Sequence, residues 1–341
     1  MKQLMLLLIL ILLLTSLPAA AVQLGEPTPV PVQGAYMSPI WRPDGQGLAL
    51  AGPGYRGLYF TDLAGNASVI SDASKAGWKF AWGPDGELAY RVQQEDGSGM
   101  ALMVTGKDGS VKQVSPFLNE IYPATWDKDG LTYRSGDELI TVDKDGNIKK
   151  VRSLSQGRGL LSKIASVSAS LTLGHITGTT FAAFGSLLSS EEARQKAGKG
   201  VFVDPDNQIW VVDEKGNKKK LIDVAEEHGY FNPIESPDGK YAVSGLSGNL
   251  YVADPNGGEP VDLGVGSNPT WSPDGRYLIF QRSTDDGHNI TSSDLWYCNA
   301  DGTGMTQLTD TAGNETSPSW SPDGSSVAYV IDGVVYVAPV E

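Results

Sequence analysis

Trp271-Ser-Pro-Asp-Gly275 and Trp320-Ser-Pro-Asp-Gly324 are two copies of one unit. Four further segments repeat it: Trp41-Arg-Pro-Asp-Gly45, Trp82-Gly-Pro-Asp-Gly86, Trp126-Asp-Lys-Asp-Gly130 and Glu235-Ser-Pro-Asp-Gly239. The unit reads as a tight turn. Pro pre-sets φ, Asp can bond the backbone just ahead of it, and Gly takes a positive φ that costs other residues energy. Asp44, Asp85, Asp129, Asp238, Asp274 and Asp323 are therefore expected to cap turns. Short apolar strands follow, such as Tyr277-Leu-Ile-Phe280 and Val327-Ala-Tyr-Val330.

A second signal runs in step with the first: an aromatic or branched strand ending in an Asp/Asn-Gly type hairpin turn. It is seen at Leu58-Tyr-Phe60, Leu139-Ile140, Ile209-Trp-Val-Val212, Leu250-Tyr-Val252 and Leu295-Trp-Tyr297. Adding the strands near residues 102 and 335 makes seven, mostly spaced by the ~40 to 45 residues of a four-stranded propeller blade. The expectation is an all-β, seven-bladed β-propeller, with six blades as the alternative. Between Asp129 and Asp238 no Pro-Asp-Gly turn occurs, so the fourth blade is expected to be degenerate, built from Ser162 to Ser170 and Val201 to Val212. An insertion at about 171–199 separates these pieces. Within it Ser189-Ser-Glu-Glu192 reads as a capping box that opens a short helix, which Gly198 could close. The segment Pro29 to Tyr36 lacks a partner and so does the last strand, Val334 to Val337. Joining them closes the ring without a free edge.

Lys2, the apolar run Leu4 to Leu14 and the small residues Ala19 to Ala21 read as a signal peptide over 1–21. That leaves 22–341 as a single propeller domain, expected in the periplasm or secreted. No cysteine lies near the cleavage point to carry a lipid, and no later apolar stretch approaches spanning length. The formal charge of −14 argues against nucleic acid and anionic membranes, which need clustered Lys and Arg. The basic run Lys218 to Lys220 is expected in an edge strand, where lysine guards against pairing. Cys298, the single cysteine, reads as a buried small hydrophobe.

The Trp-Ser-Pro-Asp-Gly repeat resembles that of TolB-type, WD-repeat-like bacterial propellers over nearly the whole of 22–341. TolB itself has an α/β domain before its propeller, whereas here the first repeat turn arrives at Asp44. The resemblance implies a propeller of the kind found in periplasmic protein-binding scaffolds and beside prolyl-oligopeptidase-like hydrolase domains. Those hydrolases carry their serine in a domain after the blades, and that domain is expected to be missing. Gly245-Leu-Ser-Gly-Asn249 comes nearest to a nucleophile elbow, yet it falls between two strands rather than at a strand-to-helix turn. Asp143-Lys-Asp-Gly146 looks like the opening of a calcium loop but lacks the distal Glu, so it reads as a hairpin turn. His175, His228 and His288 share no repeat position. A metal at these histidines belongs only to the alternative of a propeller enzyme, of lyase or hydrolase type, acting on a small molecule or carbohydrate. No cofactor or resident metal is implied. The tryptophans before the turns read as wedges between blades.

Seven residues before the turn Asp, where each innermost strand should begin, stand Met37, Trp78, Tyr122 and Phe231, then Ser267 and Thr316. With Tyr55 in the loop Gly52 to Gly57, these are the candidate binding residues. Aromatic groups at a funnel mouth suit an interface. The loops Gln93 to Gly99 and Arg282 to Asp294 should frame the same mouth, and loops of this kind often carry binding residues. The leading expectation is a monomeric, non-catalytic scaffold that binds a protein or peptide at its funnel. A purely structural envelope component is the further alternative.

Overall fold

In the computed structural model, residues 21–341 are described except 120, 122–123, 128, 137, 154–199, 205, 213–216, 223–228, 287 and 289. The segment expected as a signal peptide, apart from Ala21, the expected insertion at 171–199 with its expected helix, and Ser162 to Ser170 lie outside the described residues. Among those described, the regular secondary structure is almost all strand, with one short 3-10 helix at Pro53–Tyr55. β1 (Thr28–Pro29) precedes the first sheet, made of β2 (Met37–Trp41), β3 (Leu48–Ala51), β4 (Leu58–Thr61) and β5 (Ala67–Ser71). The second sheet comprises β6 (Ala81–Trp82), β7 (Leu88–Gln93), β8 (Met100–Thr105) and β9 (Val111–Gln113). The third comprises β10 (Thr125–Asp127), β11 (Gly130–Ser135), β12 (Glu138–Val142) and β13 (Ile148–Ser153). A three-stranded sheet follows: β14 (Gly200–Val203), β15 (Ile209–Val212) and β16 (Lys218–Lys220). Next come β17 (Tyr230–Glu235), β18 (Tyr241–Gly245), β19 (Asn249–Ala253) and β20 (Val261–Val265). The sixth sheet holds β21 (Ser267–Trp271), β22 (Tyr277–Asp285), β23 (Ile290–Asn299) and β24 (Thr306–Gln307). The last holds β25 (Glu315–Trp320), β26 (Ser326–Ile331) and β27 (Val334–Pro339), with β1 as its outer strand.

Six four-stranded blades form among the described residues, the count expected as the alternative, and this corrects the leading expectation of seven with a degenerate fourth. The reason is local. The hairpin signal near residue 209 marks β15, but no Pro-Asp-Gly turn precedes it, and no innermost strand pairs with β14 among the described residues. The lysines of β16 do lie on an outer strand, bonded on one side to β15.

Five of the repeat turns close by the bond expected from the Gly amide, at Gly45, Gly86, Gly239, Gly275 and Gly324, whereas Gly130 pairs directly with Asp127 and has a φ of 138°. The amide of Gly275 donates to Ser272 O at 2.9 Å and that of Gly324 to Ser321 O at 3.0 Å, with φ of 71° and 73° at the two glycines. Asp274 and Asp323 accept the backbone amides of Arg276 (3.0 Å) and Ser325 (3.1 Å). These bonds, with those from the Ser321 and Ser325 hydroxyls, bring the Asp323 carboxyl down to about 2. The tryptophans ahead of the turns are wedges with a donor at the tip. The indole N–H of Trp82 reaches Ile40 O (3.2 Å), Trp126 reaches Ala81 O (3.1 Å), and Trp271 reaches Ile234 O (3.0 Å). Each acceptor lies on the innermost strand of the preceding blade, one residue before its own repeat unit. Trp41 closes the circle by donating to Ser319 O at 3.1 Å. β1 seals the same junction from outside, pairing Thr28 with Val337 and Pro29 with Tyr336.

The core is correspondingly divided. Buried apolar clusters lie between the first and second sheets around Leu88 and Tyr90, between the second and third around Leu102 and Leu131, and between the fourth and fifth around Ile209 and Val243. Others join the fifth to the sixth, the sixth to the seventh and the seventh to the first. Cys298 is wholly buried in one of them, and burial pushes its thiol up to about 12. The native protein should therefore resist a disulfide-exchange thiol reagent at pH 8 and react only once unfolded. Fast native labelling would contradict the burial.

Candidate functional site

Between the third sheet and the three-stranded one, the described residues form no such cluster; a cavity of about 300 Å³ opens there and reaches the innermost strands. Thr132, Tyr133 and Arg134 of β11 form one side and Val201 and Val203 of β14 another. Trp78 and Lys79, ahead of β6, and Phe231 and Asn232, in β17, complete the rim. Apolar walls with a few polar groups are what small ligand sites and peptide-end pockets have in common.

The innermost strands place these side chains by one repeated device. Ser38, Lys79, Asn232, Asn268 and Ser317 all have left-handed backbones, with φ between 49° and 57°. Each directly follows a residue of the expected ring: Met37, Trp78, Phe231, Ser267 and Thr316 in turn. The accompanying bulges shift register between Met37 and Ile40, Phe231 and Ile234, Ser267 and Thr270, and Thr316 and Ser319. Non-glycine residues in this region cost energy and gather where function requires a particular side-chain direction. Around part of the ring the buried Gln281 ties the strands together, accepting from Asn268 Nδ2 (2.9 Å) and the Ser317 amide (2.8 Å). On the other side Lys79 Nζ donates to Asn232 Oδ1 at 2.9 Å, linking the second sheet to the fifth.

Trp78 is held rigidly. The Arg91 guanidinium lies 4.1 Å from its ring centroid and donates to Trp78 O (3.1 Å) and Ile121 O (3.0 Å). Arg91 is 1% exposed, and burial lowers its pKa to about 10, so it stays charged at neutral pH. Lys79 is exposed to solvent at the rim, with protein atoms crowded around its ammonium. That desolvation, reinforced by the charge of Arg91, lowers its ammonium to about 8.

Of the candidate binding residues, Trp78 and Phe231 line the cavity. Phe231 is 42% exposed, an open aromatic face beside it. Met37 and Tyr55 pack instead against the cluster between the first two blades, and Tyr122 lies outside the described residues. Met37 pairs with Ala51 and Ser267 with Gln281, so Gly52 to Gly57 stands at the end where the innermost strands begin. Arg282 to Asp294, expected as a loop, is mostly a strand hairpin that extends past that end, with Arg282 paired to Asp294 and Thr284 to Ser292. Lys79, Arg91 and Asn232 were not singled out by sequence. The Pro that follows Ser38, Asn232, Asn268 and Ser317 was the available sign of a special backbone position.

Among the described residues no group of three His, Cys, Asp or Glu side chains is placed to hold a metal. His288 is exposed near the β22–β23 turn, and His175 and His228 lie outside the described residues. Asp143 spends its oxygens on the turn, accepting the amides of Asp145 and Asn147, each at 2.9 Å. Gly245 to Asn249 is a strand-to-strand turn, the Gly248 amide donating to Gly245 O at 3.1 Å. No helix of the described residues is long and apolar enough to cross a membrane.

These features define a β-propeller with a cavity at an inter-blade junction. No family model matches the chain. A streptogramin B lyase is similar in structure over 93% of this chain and 98% of its own, with 12% identity and a TM-score of 0.60. A virginiamycin B lyase from Staphylococcus aureus, solved with quinupristin, matches over 94% and 99%, also at 12% identity, with a TM-score of 0.57. At that identity the likeness shows the fold alone. TolB from Acinetobacter baumannii is a looser neighbour, with 18% identity and a TM-score of 0.47 over 84% of this chain and 57% of its own. In sequence, dipeptidyl-peptidase 5 from Porphyromonas gingivalis is 38% identical over 60 residues, which is 17% of this chain and 9% of that protein. The match thus spans about a tenth of the curated relative.

Proposed function

We infer that this chain is an exported, non-catalytic propeller that binds a protein or peptide segment at the face where its innermost strands begin. The observation that carries the reading is the cavity rimmed by Trp78 and Phe231: two aromatic groups, one locked by Arg91 and the other open to solvent. Rigid aromatic anchors beside a pocket are where interfaces concentrate their energy. Export rests on the apolar run Leu4 to Leu14 followed by Ala19 to Ala21.

The test is capture from an envelope extract of the source cell by the wild type and by the double variant Trp78→Ala/Phe231→Ala. A retained partner should be bound at least ~10-fold more weakly by the variant, since each hot-spot truncation costs ~2 kcal/mol or more. Equal retention by both proteins would overturn the assignment of the face.

A further inference from the structure

The acidity of the chain as a whole hides a cationic interior at this site. No carboxylate lines the cavity among its described residues, whereas Lys79 and Arg134 both do. Lys79 has Asn232 as its hydrogen-bond partner and Arg91 as its charged neighbour, an arrangement that gives the ammonium no counter-ion among the described residues. In a protein of net charge −14, a cation kept at such a place is poised for an anion that arrives with a ligand. The apolar walls exclude a free inorganic ion as the best fit, because most of the surface would stay unpaired. A chain end can reach a lysine within a funnel, while a continuous backbone would have to turn back on itself.

We propose that the cavity takes the terminal carboxylate of a peptide whose last side chain is apolar, the carboxylate meeting Lys79 Nζ and the side chain resting between Trp78 and Phe231. This rests on the reading that the funnel face is the binding face, and names what that face recognises.

The groups facing Lys79 set its pH behaviour. Arg91 on β7 and Arg134 on β11 are cations, and Asn207 and Asn232 are neutral. The Tyr133 phenol, raised by burial and by the carboxylate of Glu138 beside it, stays protonated. Lys79 is charged below about 8 in the free protein. Carboxylate binding should therefore be full near pH 6 to 7 and fall as pH rises through and above 8.

The probes are N-acetyl-phenylalanine with a free carboxylate, its carboxamide, and N-acetyl-aspartyl-phenylalaninamide, which carries its carboxylate on a side chain. Binding is followed by ligand-observed NMR with the whole protein. The free acid should bind about 10-fold or more tightly than the carboxamide, the usual range for a hydrogen bond to a charged group. Lys79→Met should abolish the difference by weakening the acid far more than the carboxamide, and Lys79→Arg should retain most of it. Lys79 is exposed, so the Lys79→Met melting temperature should stay close to that of the wild type, which separates a binding defect from misfolding. Equal binding of acid and carboxamide, or a preference that survives Lys79→Met, overturns the carboxylate assignment and leaves the funnel as binding face. Tighter binding of the aspartyl probe overturns the chain-end source. No binding of any probe, while partner capture still depends on Trp78 and Phe231, overturns the inference and gives the cavity to another occupant, a segment of this chain included.

Discussion

A chain that starts at Gln33 should unfold at markedly lower urea concentration than one that starts at Val22. Val22 and Val30 are 6% and 4% exposed, and Val30 belongs to the cluster that joins the last blade to the first. Burial of a valine is worth ~1.5 to 3 kcal/mol, so losing both costs ~3 to 6 kcal/mol before any hydrogen bond is counted. Those lost would include Gly25 N to Pro339 O (2.8 Å), Val30 N to Val335 O (2.9 Å) and Glu341 N to Gln23 O (2.9 Å). Domains are stable by only ~5 to 15 kcal/mol, so this is a large fraction. The truncation also bares β27 as a long edge strand, and self-association should accompany the loss. Removing Val334 to Glu341 opens the same junction and should be at least as severe. Shortening the exposed hairpin tip Glu95 to Gly97 should cost under ~1 kcal/mol, because loop length enters stability only weakly. If the chain from Gln33 melts like the longer one, β1 does not close the ring.

The second large effect concerns the tryptophan wedges. Trp41→Ala should cost ~3 to 5 kcal/mol, the usual range for emptying a large buried aromatic site. The conservative change to Phe isolates the hydrogen bond. In Trp41→Phe the carbonyl of Ser319 loses its donor in a buried setting, at ~1 to 3 kcal/mol. Trp320 is packed equally tightly, both rings being 7 to 8% exposed, but its indole N–H is buried without a partner among the described residues. Trp320→Phe loses the same ring volume but no hydrogen bond, so it should cost less than Trp41→Phe by about 1 to 3 kcal/mol. Chemical denaturation of the two Phe variants side by side measures the contrast. Equal losses would mean that the indole bonds add nothing to the wedges.

Most of the architecture was legible because its signals are local. A Pro-Asp-Gly turn is specified by three neighbouring residues and each blade needs one. The tryptophan before the turn repeats at the same offset, so both the repeat and the role of the wedges could be read from spacing. Closure by the segment near Pro29 followed from counting strands that lacked partners. The blade count was less secure, because the stretch from Asp129 to Asp238 has hairpin residues without the turn that would mark an innermost strand.

What the residues determine by themselves is thus the turn, the strand after it, the wedge and the need for a closing strand, since each depends on φ preferences and side-chain size within a few positions. The site was decided elsewhere. Lys79 meets Asn232 across 153 positions of chain, and Arg91 comes under Trp78 only once β7 has packed behind β6. Net charge averages over the whole surface, so the count of −14 carries no trace of cations gathered at one cavity. That cavity exists because one of the junctions between successive blades has no apolar cluster among its described residues. Such a property belongs to two sheets brought together, and neither sheet's sequence contains it.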